Sequence, residues 1–259
     1  MPNPWQSSID SLRQQFLNLF LKSNCPLCDR SAEDVLCQYC RRQLQDCKLM
    51  QPDRYWQGDL PLFAWGKYEG SVKRSIAKLK YDGHRSIGDL YGEWLADSWQ
   101  KFSPPNISHR LIVVPIPLHP EKLASRGFNQ AELIARSFSR VTGHKLDRSL
   151  HRNRSTIPQF ELSQLARQQN VAGAFSVAAD SRLKPGAKVL LIDDIYTTGA
   201  TVRSAAAILR SRQIDVCGVA VVAVVGTGGD ALFAEAKAAP TERLRQWIDR
   251  FLCFSLNSS

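Results

Sequence analysis

The segment Val189 to Thr201, VLLIDDIYTTGAT, decides the fold class. Four apolar residues, Val189, Leu190, Leu191 and Ile192, run without a polar break into two carboxylates, Asp193 and Asp194. Such a run predicts a strand buried on both faces, as in a parallel sheet covered by helices. The carboxylates then sit at the strand's carboxyl end, the edge at which open α/β sheets bind ligands. Ile195 and Tyr196 follow; Thr197, Thr198, Gly199, Ala200 and Thr201 then lead into an alanine-rich helical stretch, Val202 to Arg210. Small residues let a backbone close around an anion, and hydroxyls with the free N–H groups of a helix start supply the donors.

This order of parts suits a ligand that carries vicinal hydroxyls next to a phosphate. Carboxylates accept hydrogen bonds from two ribose hydroxyls, and the Thr/Gly loop holds the 5-phosphate. The segment resembles the phosphoribosyl-pyrophosphate (PRPP) signature of type I phosphoribosyltransferases, which implies those roles for the acidic pair and the loop. The plainer alternative is a buried strand followed by an Asp-rich turn, since Asp and Gly are ordinary turn residues.

A chain of 259 residues with 44% apolar content predicts one core domain plus an appendage. No apolar stretch approaches the roughly 18 residues that span a bilayer, and the first residues lack a basic, then apolar, secretory pattern. A cytoplasmic location is the resulting expectation. The formal net charge of +10 and the pI near 9.4 favour polyanionic partners, pyrophosphates or nucleic acid among them. The basic residues are dispersed, however, in groups such as Lys73, Arg74, Lys78 and Lys80, or Arg148, Arg152 and Arg154. No long arginine tract points to nucleic acid.

Spacing explains four of the seven cysteines. Cys25-Pro-Leu-Cys28 and Cys37-Gln-Tyr-Cys40 are two CxxC knuckles with eight residues between them. Two knuckles place four thiolates around Zn²⁺ in a closed, structural site. An iron–sulfur cluster and, in a reducing compartment, disulfides are the weaker readings. Cys217 lies in the apolar run Val216 to Val225 and reads as a buried small hydrophobe. Upstream, Ile9, Leu12, Phe16, Leu19 and Phe20 recur at helical spacing and predict a helix packed on its own protein; a membrane-surface or partner-docking helix is the alternative.

Three stretches lie between the knuckles and the acidic pair. Val72, Ile76 and Leu79 mark one face of a helix whose lysines and arginine read as a solvated basic face. Leu111 to Val114 reads as a second buried strand, broken at Pro115 and Pro117. A loop, Leu118 to Arg126, with His119, Lys122 and Arg126 follows, and then a helix, Ala131 to Val141. Those cations are placed to meet a pyrophosphate. Leu150 to Val177 is long, polar and basic, as suits a mobile lid, with Leu162 to Gln169 helical within it.

Taken in order, CPLC, CQYC, LKYDGHRSIG, VPIPLHP, RGFNQAELIA, TIPQF, RQQNVAGAF and LLIDDIYTTGAT resemble the ComF family over roughly residues 20 to 225. The resemblance implies a zinc ribbon joined to a type I phosphoribosyltransferase fold, a parallel sheet with helices on both faces. It implies Mg²⁺-dependent PRPP binding and, in some members, a role in natural DNA uptake. Asp193, Asp194, Thr197, Thr198, Gly199, Ala200 and Thr201 match the PRPP signature, and Cys25, Cys28, Cys37 and Cys40 match the zinc knuckles. Arg126 to Gln130 match the family's RGxNQ segment, with contact to pyrophosphate or the lid as the expected role of Arg126. Thr197 stands where some purine phosphoribosyltransferases carry a carboxylate, so the signature shows no general base. The expected layout is an N-terminal helix over 1–22, a ribbon over 23–50, the main domain over 60–225 and a helical extension over 226–259. Two functions fit: phosphoribosyl transfer to an unidentified acceptor, or PRPP-responsive or single-stranded-DNA binding without catalysis, with Tyr81, Phe128 and Phe160 as candidate stacking rings.

Overall fold

The computed structural model describes residues 23–105, 107, 111–153, 174–179, 181 and 183–226. The expected helices over 1–22, 162–169 and 226–259 therefore lie outside the described residues, apart from Gly226. A small N-terminal lobe holds β1 (Ser23–Asn24), β2 (Ser31–Ala32) and α1 (Gln38–Gln45). The main body begins with β3 (Leu62–Lys67), α2 (Gly70–Tyr81), α3 (Ser86–Phe102), β4 (Ile112–Pro115) and α4 (Pro120–Arg126). It continues through α5 (Gln130–Thr142), β5 (Lys145–Leu146), β6 (Leu150–Arg152) and β7 (Phe175–Val177). β8 (Lys188–Tyr196), α6 (Ala200–Arg210) and β9 (Asp215–Val224) complete it.

The main sheet has the order β3-β9-β8-β4-β5, and every neighbouring pair is parallel. Parallel strands need crossovers, and these put helices on both faces. On one face Leu190, Ile192, Val113 and Trp65 pack with Ile76 of α2, Leu95 of α3 and Ile134 of α5. On the other, Val189, Leu191, Val114 and Val221 pack with Val202, Ala205 and Leu209 of α6. Alternate strand residues serve opposite faces, and both faces are apolar because both are covered. The expected α/β architecture is the observed one.

Several local expectations change. β8 does not end at Ile192 but runs on to Tyr196, because β9 continues beside it and pairs Ile195 with Ala223 and Tyr196 with Val224. The stretch expected as a loop after β4 contains a short helix, α4, with a proline at its start, Glu121 in its first turn and left-handed Gly127 closing it. Pro115 is paired with Ile192 and ends β4 instead of interrupting it. Cys217 is half-buried and not buried, since the β8–β9 register jumps from Val189–Val216 to Leu190–Gly218 and skips it as a bulge.

The N-terminal lobe is knit to the sheet. The Leu49 and Lys67 N–H groups donate to the Trp65 and Cys47 carbonyls at 2.9 Å each, and those of Leu62 and Ala64 donate to Tyr55 and Pro52 at 3.0 and 2.9 Å. Behind β3, Trp65 stacks on Trp94 at 5.2 Å, and the Arg41 guanidinium of α1 lies 5.8 Å from the Trp94 ring. Among the described residues no helix is long and apolar enough to cross a membrane.

Candidate functional site

Two constellations emerge, one in each lobe. In the N-terminal lobe the Cys28 and Asp29 N–H groups fold back onto the Cys25 carbonyl at 3.2 and 2.8 Å, with Asp29 left-handed at φ 58°. That tight turn aims Cys25 and Cys28 the same way. Cys37 precedes α1 and Cys40 sits in its first turn. The four sulfurs lie within 4.8 Å of one another, and none of them is in a disulfide. Cys25, Cys37 and Cys40 are buried and Cys28 half-buried. Four thiols converging this closely from two knuckles fit a zinc ion. Burial pushes the Cys40 thiol up, whereas backbone hydrogen bonding at Cys40 holds Cys37 down to about 7.

The second constellation is at the carboxyl end of β8. Because the strand continues through the acidic pair, Asp193 and Asp194 point to opposite faces rather than side by side. Asp194 faces α2, where its Oδ2 forms an ion pair with Lys80 Nζ. The two side chains are only 6% and 18% exposed. Asp194 Oδ2 is buried, and the Lys80 ammonium is the charge that faces it. Asp193 Oδ1 accepts the Asp194 N–H at 2.8 Å. Burial first, and then the neighbouring Asp194 charge, push the Asp193 carboxyl well above the usual carboxylate range. Arg152 of β6 is on that side; burial lowers its guanidinium while the charge of Asp193 acts in the opposite direction.

The loop that follows is held open by two side chains the sequence did not flag. Gly199 is left-handed, φ 73°, and precedes α6. A Cβ there would stand 2.5 Å from Tyr196 Cζ and 2.8 Å from Arg203 Nη1. Arg203 donates to the Thr198 carbonyl and reaches Tyr196 Oη at 3.5 Å. Thr197 and Thr198 are exposed, and the Ala200 N–H meets Thr198 Oγ1 at 3.4 Å. The helix start thus faces solvent with a guanidinium beside it, a setting that accommodates a dianionic phosphate.

Arg126 is engaged elsewhere. It donates to Gln130 Oε1 and its guanidinium lies 5.7 Å from the Tyr81 ring. Arg85 donates to the Gly127 carbonyl at 3.3 Å and covers Phe128 at 4.9 Å. Asn129 caps α5 through the Ala131 N–H and donates to the Ile116 carbonyl at 3.0 Å. The LKYDGHRSIG and RGFNQ motifs are therefore two halves of one packed corner. Of the candidate stacking rings, Tyr81 is 78% exposed and Phe128 is buried, while Phe160 lies outside the described residues.

The basic connection after β5 starts and ends in a stem that sequence reading missed. β6 and β7 pair antiparallel, Leu150 with Val177 and Arg152 with Phe175. Strands of three residues carry too little periodicity to be recognised. A cleft of about 550 Å³ opens between this stem and the turn after β4, lined in part by Pro117, Leu118, Asn129, His151 and Arg152. Lys80 was read within a solvated basic face; it is the residue of that group that turns inward, and only the folded chain brings it to Asp194.

A parallel sheet covered on both faces, with a carboxylate pair and a small-residue loop at its carboxyl edge, is the architecture of a phosphoribosyltransferase-type α/β domain. The chain belongs to the phosphoribosyl transferase domain family, whose match covers residues 123–254 and so runs past residue 225. It is similar to the competence protein ComFC of Bacillus subtilis, at 27% identity over 73% of this chain and 72% of that one. ComFC of Streptococcus pneumoniae is 26% identical over 70% of this chain and 71% of its own. Competence protein F of Haemophilus influenzae is 35% identical, but over only 40% of this chain and 45% of the relative.

Proposed function

We propose that this chain binds PRPP together with Mg²⁺ and transfers its phosphoribosyl group to an acceptor. The observation that carries this reading is the acidic pair at the end of β8, with Asp194 held by Lys80, beside the Thr/Gly loop that turns at left-handed Gly199 into α6. In this reading Asp193 and Asp194 accept the ribose hydroxyls. Thr197, Thr198, Gly199, Ala200 and Thr201 donate to the 5-phosphate, and Arg203 adds positive charge beside it. When bound, Mg²⁺ neutralises pyrophosphate charge as that group leaves. The bond from the anomeric carbon to pyrophosphate breaks, and a bond to the acceptor nucleophile forms with loss of its proton. Arg152 at the base of the β6–β7 stem sits on the Asp193 side of the edge, where a leaving anion is stabilised. Arg126 contributes through its corner contacts to Gln130 and Tyr81. The four cysteines hold a structural zinc.

Relatives named competence proteins support a role in competence, and so in DNA uptake. A second reading rests on one observation: Tyr81, largely exposed with Arg126 over it, is the kind of surface on which a single-stranded base stacks. Calorimetric titration of PRPP with Mg²⁺ tests the first reading against an Asp193→Asn/Asp194→Asn protein. Saturable binding that the variant loses is the expected result. Absence of binding by the native chain, with DNA affinity that falls steeply with salt, refutes it in favour of the second.

A further inference from the structure

The basic residues of α2 do not share one fate. Lys73 and Arg74 are exposed, and Lys78 pairs with Asp82 at 2.7 Å, one turn on along the same chain. Lys80 instead reaches the strand edge and meets Asp194 Oδ2, with both side chains largely withdrawn from water. An exposed pair of this kind contributes little to stability. A withdrawn pair differs: removing one partner strands the other's charge in a poor solvent. Asp194 is buried, and the Lys80 ammonium against its Oδ2 offsets the cost of that burial.

Resting on the ribose-phosphate reading above, we propose that Lys80 is a positioning residue of that site: the α2 ammonium, paired with Asp194, fixes that carboxylate at the carboxyl end of β8, where it accepts ligand hydroxyls. Lys80 acts on hydroxyl recognition through Asp194, while the 5-phosphate is left to the loop after β8. The two ligand halves therefore respond differently to its loss.

The experiment compares ribose 5-phosphate with inorganic phosphate, titrated by phosphorus NMR into the full chain and into Lys80→Met, Lys80→Gln and Lys80→Arg. Melting curves run alongside verify that each variant is folded. In the neutral variants ribose 5-phosphate affinity falls by about tenfold or more, the worth of a hydrogen bond to a charged acceptor. Inorganic phosphate affinity is unchanged, and Lys80→Arg recovers most of the ribose 5-phosphate affinity. Unchanged preference for ribose 5-phosphate in whichever neutral variant folds overturns the role of Lys80 and leaves the site standing. Parallel loss of both ligands overturns it as well, because that is what a general structural defect produces. No saturable ribose 5-phosphate binding by the native chain refutes the site itself, and the assignment of Lys80 with it.

Discussion

Replacing Gly199 by alanine separates two costs that the structure assigns to one position. The first is backbone: Gly199 has φ 73°, and a side chain in the left-handed region costs about 1–2 kcal/mol. The second is contact: the new Cβ would lie 2.5 Å from Tyr196 Cζ, where ordinary contact begins at 3.4 Å, so the ring must retreat by about 1 Å. Forced repacking costs about 1–3 kcal/mol, the lower half of that range applying when the outer end of a side chain moves. Gly143 supplies the control. It closes α5 with φ 76°, and a Cβ added there would meet nothing within 4 Å, so Gly143→Ala bears the backbone cost alone. Urea denaturation of the two variants should give losses of about 1–2 kcal/mol for Gly143→Ala and about 2–4 kcal/mol for Gly199→Ala, with equal slopes. Equal losses would refute the account in which Tyr196 and Arg203 are packed against the loop. Ribose 5-phosphate binding should suffer in Gly199→Ala and survive in Gly143→Ala.

Asp193→Asn should make the chain more heat-stable at neutral pH while removing ligand binding. A carboxyl raised by burial binds its proton more tightly folded than unfolded, so the wild type loses stability as pH rises above the ordinary carboxylate range. The asparagine escapes that loss, and its advantage over the wild type should vanish near roughly pH 4; a variant less stable than the wild type at neutral pH contradicts the assignment. Metal analysis of the purified chain should find about one zinc, and a strong chelator or Cys25→Ser should lower the melting temperature by several degrees. A chelated protein that melts unchanged would mean the four thiols hold no structural ion.

What the sequence made legible was whatever local rules govern. The apolar run before Asp193 gave a doubly covered strand, the two CxxC pairs gave a four-thiol cluster, and Gly199 gave the turn into α6. The misses at the acidic pair are decided by distant chain. β8 continues through its carboxylates only because β9 lies alongside to Val224. The direction of each carboxylate follows from that extension, and so does the meeting of Asp194 with Lys80. Pro115 read as a breaker, yet it ends a strand, and Pro120, which drew no reading, opens a helix. The contacts of Arg126 with Tyr81 and Gln130 were not legible either, since a motif fixes residue identity and not side-chain direction.

The segment from Cys47 to Tyr55 has a consequence beyond joining the two lobes. β3 is a border strand with the sequence LFAWGK, five of its six residues buried, and its outward N–H and C=O groups would otherwise be open to any extended chain. Hydrogen bonds with Cys47, Leu49, Pro52 and Tyr55 occupy that border. Uncovered apolar borders recruit further strands from neighbouring molecules and seed aggregates. The N-terminal lobe thus acts as a guard rail for solubility, and a chain trimmed to begin at β3 would keep its sheet but expose a sticky seam.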